Sequence, residues 1–81
     1  MPFIEVKIIE GVLPDEKMPE LIAALTNAVV QVGGEGFRPM TRCVVQEVRS
    51  GWWGAGGKPL TTDIALSGLQ ASAAQTARGP S

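Results

Sequence analysis

Apolar and polar residues alternate at the start of the chain, in MPFIEVKIIEG. Ile4, Val6 and Ile8 fall on one side of an extended backbone, and Phe3, Glu5, Lys7 and Ile9 on the other. That period of two is the signature of a half-buried strand. It predicts a strand from Pro2 to Glu10, with the first set toward the core and Gly11 as its end. Pro2 has no N–H to donate, which suits the first position of a strand.

The period then lengthens in LPDEKMPELIAALTNAVVQVGGEG. Met18, Leu21, Ile22, Leu25, Val29 and Val32 recur at helical spacing and predict an amphipathic helix. Asp15 is a candidate N-cap, and Glu16 and Glu20 suit the positive end of the helix dipole. Pro19 would remove a hydrogen bond if Asp15 is the cap. Either the first turn is irregular, or the regular helix begins nearer Met18. Gly33 and Gly34 stop it.

A second strand is expected over Thr41 to Val48, in TRCVVQEV. SGWWGAGGKP next crowds Gly51, Gly54, Gly56 and Gly57 around Trp52 and Trp53, which reads as a hairpin-like turn beside a functional surface. From Thr61 a weak helical stretch, Ile64 to Leu69, leads into an Ala/Ser-rich end. The last ten residues or so, roughly, are expected to be loose, as chain ends without buried side chains are.

Strand, helix, strand, with a helix long enough to cross over, predicts an α/β (α+β) fold. It is a single right-handed βαβ unit with parallel strands, followed by a C-terminal Gly-rich hairpin-like turn. Residues 1–60 form this βαβ domain, and residues 61–81 a C-terminal extension that is partly disordered. Two parallel strands under one helix leave a face and both edges open, and parallel sheets are seldom left so. Oligomerisation is expected to complete the fold.

Composition sharpens this. A chain of 81 residues buries little of its surface and usually needs a staple or a partner. Cys43 is the one cysteine and there is no histidine. An internal disulfide is impossible, a zinc or iron site is not expected, and histidine-based acid–base or nucleophile pairs are excluded. Seven basic and eight acidic residues leave a formal charge of −1, and no Lys/Arg run tracks phosphates, so nucleic acid is not the expected partner. No apolar run approaches the ~20 residues of a membrane span, and the start lacks a signal-peptide pattern. The expected setting is cytoplasmic, without a membrane partner.

The order of features resembles a known family. A proline after Met1, a strand ending in IIEG, a helix opened by DEK, then TRCVVQEV and WGAGG is similar to the 4-oxalocrotonate tautomerase family, from Pro2 to Leu60. The resemblance implies βαβ units that pair and assemble as a hexamer, a trimer of dimers, and a role in aromatic degradation. It implies that Met1 is removed and that Pro2, as the amino-terminal residue, is the catalytic base. Arg42 would polarise the substrate's carboxylate or carbonyl, and Trp53 would close the pocket. Ile9 and Ala55 would stand in its apolar wall, and Gly54, Gly56 and Gly57 match the turn. One position departs from the pattern. Val12 follows EG where the family's tautomerases carry a second arginine for a far carboxylate. Either the substrate has no second carboxylate, or a sister subunit supplies the arginine, or the pocket is degenerate.

The residues themselves fit proton transfer. A free α-amine has a pKa of about 7.7–8.0, well below lysine. Burial beside Phe3, Ile9 and Trp53, with a cation such as Arg42 nearby, would lower it further, toward the value a general base needs near neutrality. The expected activity is a cofactor-independent keto–enol tautomerisation of a small 2-oxo or 2-hydroxy-dienoate carboxylic acid. Arg42 would hold the developing negative charge, and no metal or cofactor would be required. Two alternatives stay open. One is addition of water to, or dehalogenation of, an unsaturated acid, for which Glu5 and Glu47 are the available carboxylates. The other is a non-catalytic partner subunit of a heterohexamer. Trp52 is expected at an interface, Arg38 and Arg49 at the surface with Arg49 a conceivable second anchor, and Cys43 in the core.

Overall fold

The computed structural model of the chain describes residues 1–77. Its elements are β1 (Phe3–Ile9), a 3-10 turn (Asp15–Lys17), α1 (Met18–Gly33), a 3-10 helix (Glu35–Met40), β2 (Arg42–Val48), β3 (Trp53–Ala55), β4 (Lys58–Leu60) and α2 (Thr62–Ala77). They form two compact units, one of Met1–Ile8 with Leu13–Glu47, the other of Ile9–Val12 with the chain from Val48 onward.

β1 and β2 pair as a two-stranded sheet and run parallel, as expected. The Arg42 amide donates to the Pro2 carbonyl at the start of both strands, and the Glu10 amide donates to the Val48 carbonyl at the end of both. In the slanted bonding of a parallel pair, these two bonds set Phe3 beside Arg42 and Ile9 beside Val48. Lys7 falls beside Gln46 in the same register, and its Nζ donates to Gln46 Oε1 at 3.1 Å.

Within the first unit, burial alternates along β1 and along β2 as far as Gln46. Ile4, Val6 and Ile8 with Cys43 and Val45 make a half-buried face, while Phe3, Glu5, Arg42, Val44 and Gln46 are exposed on the other. On α1, Met18, Leu21, Leu25 and Val29 are half-buried and Val30 is buried. These are the two apolar surfaces of this unit, and a βαβ crossover lays one over the other. Two positions in the expected helical stripe behave otherwise. Ile22 is exposed, and Val32 is 91% exposed although its phase is right, while Val30, outside that stripe, is the helix's one buried side chain.

The regular helix begins at Met18, the second of the two starts that Pro19 allows. Asp15 to Lys17 form the 3-10 turn instead, and neither start has a side-chain cap. Pro19 then lies in the first turn, where its missing N–H leaves no intrahelical bond unmade. Gly34 ends α1 at φ 98° and ψ 166°, a conformation essentially restricted to glycine.

The segment between α1 and β2 is a 3-10 helix. Arg38 fastens it, donating from Nη1 to Asn27 Oδ1 on α1 at 2.8 Å and from Nε and Nη2 to the Glu35 carboxylate at 3.0 and 3.2 Å. A Cβ on Gly33 would lie 3.0 Å from the ring of Phe37, so the glycine makes room for that ring against the end of the helix.

In the second unit, β3 and β4 form the expected hairpin, paired Trp53 to Leu60 and Ala55 to Lys58. Gly56 and Gly57 link them, both with positive φ, at 61° and 82°, the condition for the tight two-residue turn that matches strand twist. Glu10, Ser50 and Thr62 are tied together. Ser50 N donates to Glu10 Oε2, Thr62 N to Ser50 Oγ, and Thr62 Oγ1 to the Glu10 carbonyl. α2 runs from Thr62 to Ala77 and so extends well beyond the expected Ile64–Leu69. Thr61 opens it, its Oγ1 accepting from Ile64 N as an N-cap does. The expectation for the chain's very end falls in part on residues outside those described.

Among the described residues only Ile9 and Val30 have their hydrophobic side chains buried. No helix among them is long and apolar enough to cross a membrane.

Candidate active site

Pro2 is placed by the first bond of the sheet. Its carbonyl accepts from the Arg42 amide at 3.1 Å, which fixes the residue at the mouth of the parallel ladder. Pro2 is half-buried and lies in the wall of an apolar groove of about 510 Å³, formed with Ala28, Val29, Val32, Gly33 and Phe37. No charged side chain lines it. The sequence pattern gives reason for each wall: the last turns of α1 supply the small and branched side chains, and the 3-10 helix supplies the ring.

Arg42 is the neighbour of Pro2 by backbone, not by side chain. Strand alternation sends Arg42 to the exposed face with Phe3 and Val44, whereas Pro2 belongs with Ile4 on the side of α1. Arg42 Nη1 donates to the Pro39 carbonyl at 2.9 Å. Among the described residues the ion pairs are Lys7 with Glu5, Lys17 with Glu20 and Arg38 with Glu35. Arg42 is in none of them, and its remaining N–H groups are open to an anion.

The three other candidates belong to the second unit. Ile9 is 7% exposed. Trp53 is half-buried at the start of β3, and Ala55 is exposed at the hairpin turn. Trp52 is 72% exposed, and the Arg49 guanidinium stacks over its ring at 4.7 Å. Arg49 is thereby occupied as a cation–π partner. Val12 is half-buried and presents no charge where a second anchor would stand.

Among the carboxylates, Glu5 lies 4.0 Å from Lys7 Nζ on the outer face of the sheet. Glu35 is held below its ordinary pKa by the hydrogen bonds and charge of Arg38, which is raised in turn. Among the described residues no three Cys, Asp or Glu side chains gather as a metal site needs. The free thiol is Cys43, half-buried in the strand.

The groove residues Ala28, Val29, Val32 and Phe37 are not among the candidates that the sequence suggests. Val29 and Val32 read there as core. Phe37 alone carried a signal, as a lone aromatic in an otherwise polar, glycine-rich connection.

This arrangement of strand, crossover helix and parallel partner is shared with solved structures. A 4-oxalocrotonate tautomerase homologue is 33% identical, with a TM-score of 0.61 over 78% of this chain and 94% of its own. YwhB, another such homologue, is 28% identical, with a TM-score of 0.64 over 72% of this chain and 92% of its own. DmpI from Helicobacter pylori is 26% identical, with a TM-score of 0.64 over 73% and 95%. Among proteins of curated function, none matches the sequence. The family model described as tautomerase enzyme matches residues 2–63, a span that takes in the βαβ unit and the hairpin. The chain belongs to the tautomerase family.

Proposed function

We propose that this chain is a cofactor-independent tautomerase whose base is the nitrogen of Pro2, freed by removal of Met1. The observation that carries the reading is the position of Pro2 in the wall of a groove with no charged lining. An amine there loses hydration when charged, which favours its neutral, basic form. Membership of the tautomerase family supports the reaction class.

In the reaction, the Pro2 nitrogen takes the proton of a 2-hydroxy-dienoate, or one from the carbon next to a 2-oxo group. Negative charge gathers on the carbonyl or carboxylate oxygen. The planar guanidinium of Arg42, permanently cationic, holds that charge. The proton then returns from nitrogen to another carbon, and the amine is neutral again. Ile9, Trp53 and Ala55 enter the proposal as apolar wall on the strength of the family resemblance alone.

Because Arg42 and Pro2 leave the sheet on opposite faces, the proposed site is completed between copies. The guanidinium of one chain serves the Pro2 of another, in a homo- or hetero-oligomer built as a hexamer. The outer face of the sheet supports this, since Phe3 is 65% and Val44 45% exposed there, on a type of sheet that is ordinarily covered.

A second reading is a partner subunit of a mixed assembly, favoured by Val12 in place of a second arginine. One experiment addresses both. Intact mass establishes that Met1 is gone, and purified protein is assayed with phenylenolpyruvate and 2-hydroxymuconate beside a Pro2→Ala variant. Turnover lost with Pro2→Ala supports the first reading. Turnover that needs a sister chain supports the second.

A further inference from the structure

We infer that the groove beside Pro2 is a specificity pocket for an apolar tail, so that the preferred ligands are monocarboxylic acids bearing an aryl or branched alkyl group. The inference rests on Pro2 being the base, and adds what the rest of the substrate is. Its volume of about 510 Å³ falls in the range of roughly 300–1,000 Å³ that ligand sites span.

The wall opposite Pro2 is made of carbon. Ala28, Val29 and Val32 contribute from α1 and Phe37 from the 3-10 helix, with Gly33 against the ring. Val32 is 91% exposed, on a helix where Met18, Leu21, Leu25 and Val29 are half-buried and Val30 is buried. It is a large apolar contact left available beside the proposed reacting atom. Arg38 and Glu35 lie on the same 3-10 helix as Phe37, yet they are spent on each other and on Asn27, and neither lines the groove. A carboxylate entering the groove would meet no donor and lose its hydration, which a nonpolar site penalises heavily. An aryl group meets ring and branched carbon instead. The carboxylate end of such a molecule is left outside the groove, toward the open N–H groups of an Arg42.

Binding is measured by calorimetry with cinnamate, an aryl monocarboxylate that cannot tautomerise, and with muconate, a dicarboxylate of similar reach. Cinnamate is expected to bind at least about tenfold tighter, the discrimination that one or two apolar contacts supply. Val32→Lys, at an exposed position that tolerates it, is expected to reverse the order by weakening cinnamate and strengthening muconate. Muconate binding as tightly as cinnamate to the native protein, or an order unchanged in Val32→Lys, overturns the inference. These outcomes are read without turnover, so they stand apart from the Pro2→Ala assay.

Discussion

The amide of Arg42 donates to the carbonyl of Pro2 at 3.1 Å, while the two side chains leave the sheet on opposite faces. The backbone bond therefore aligns the strand starts without bringing guanidinium and ring together. The proposed catalytic pairing of these residues is one made between chains, and it is testable.

Arg42→Ala is expected to lower kcat/KM by about 10²-fold, the scale of losing one preorganised donor to a developing oxyanion. Stability should change little, because the side chain is exposed and its one described side-chain bond is to the Pro39 carbonyl. If the site is shared, mixing Arg42→Ala with Pro2→Ala chains after joint refolding restores part of the activity, since some sites then hold both native residues. Assaying the mixture against each variant alone checks this. No recovery would place both residues in one chain's site.

Gly34 carries a backbone that other residues reach only under strain. Gly34→Ala is expected to destabilise the protein by about 1–3 kcal/mol, although a Cβ there meets nothing within 4 Å. The cost is purely conformational. Urea unfolding of the variant, with an unchanged slope, would show it.

The Glu35–Arg38 pair predicts a pH dependence with a definite sign. Hydrogen bonds and charge from Arg38 hold the Glu35 carboxyl below its ordinary value of 4.5. A lowered folded-state pKa contributes stability that is present above the unfolded value and lost as pH falls through the folded one. The melting temperature of native protein should therefore exceed that of Glu35→Gln at neutral pH, and the gap should close below pH 4.5. The pair is exposed, so the gap is small and shrinks with salt. A gap that widens on acidification contradicts the assignment.

Much of this fold is legible in the letters. The alternation of Ile4, Val6 and Ile8, the helix start near Met18 as one of the two readings that Pro19 allows, and the Gly56–Gly57 hairpin all follow from local physics. The rest depends on what each segment meets. Val32 has the helical phase of a core residue and is exposed, because phase reports which way a side chain points and not whether anything is there. Val30 lies off the expected stripe and is buried. The 3-10 helix from Glu35 to Met40 is held by Arg38 bonds that reach from the loop to Asn27, a pairing that no periodicity encodes. The length of α2 escaped because Ala and Ser carry helix propensity without an apolar stripe. For the site, Pro2 and Arg42 are named by family order, whereas the groove beside Pro2 exists only once α1 and the 3-10 helix are set around it.

The most direct test of the account is the rate of phenylenolpyruvate tautomerisation by protein whose intact mass lacks Met1, set against the Pro2→Ala protein. Removing a positioned base is expected to lower the rate by about 10²–10⁴-fold. An undiminished rate in Pro2→Ala, or full activity with Met1 still attached, would contradict the claim that the Pro2 nitrogen moves the proton.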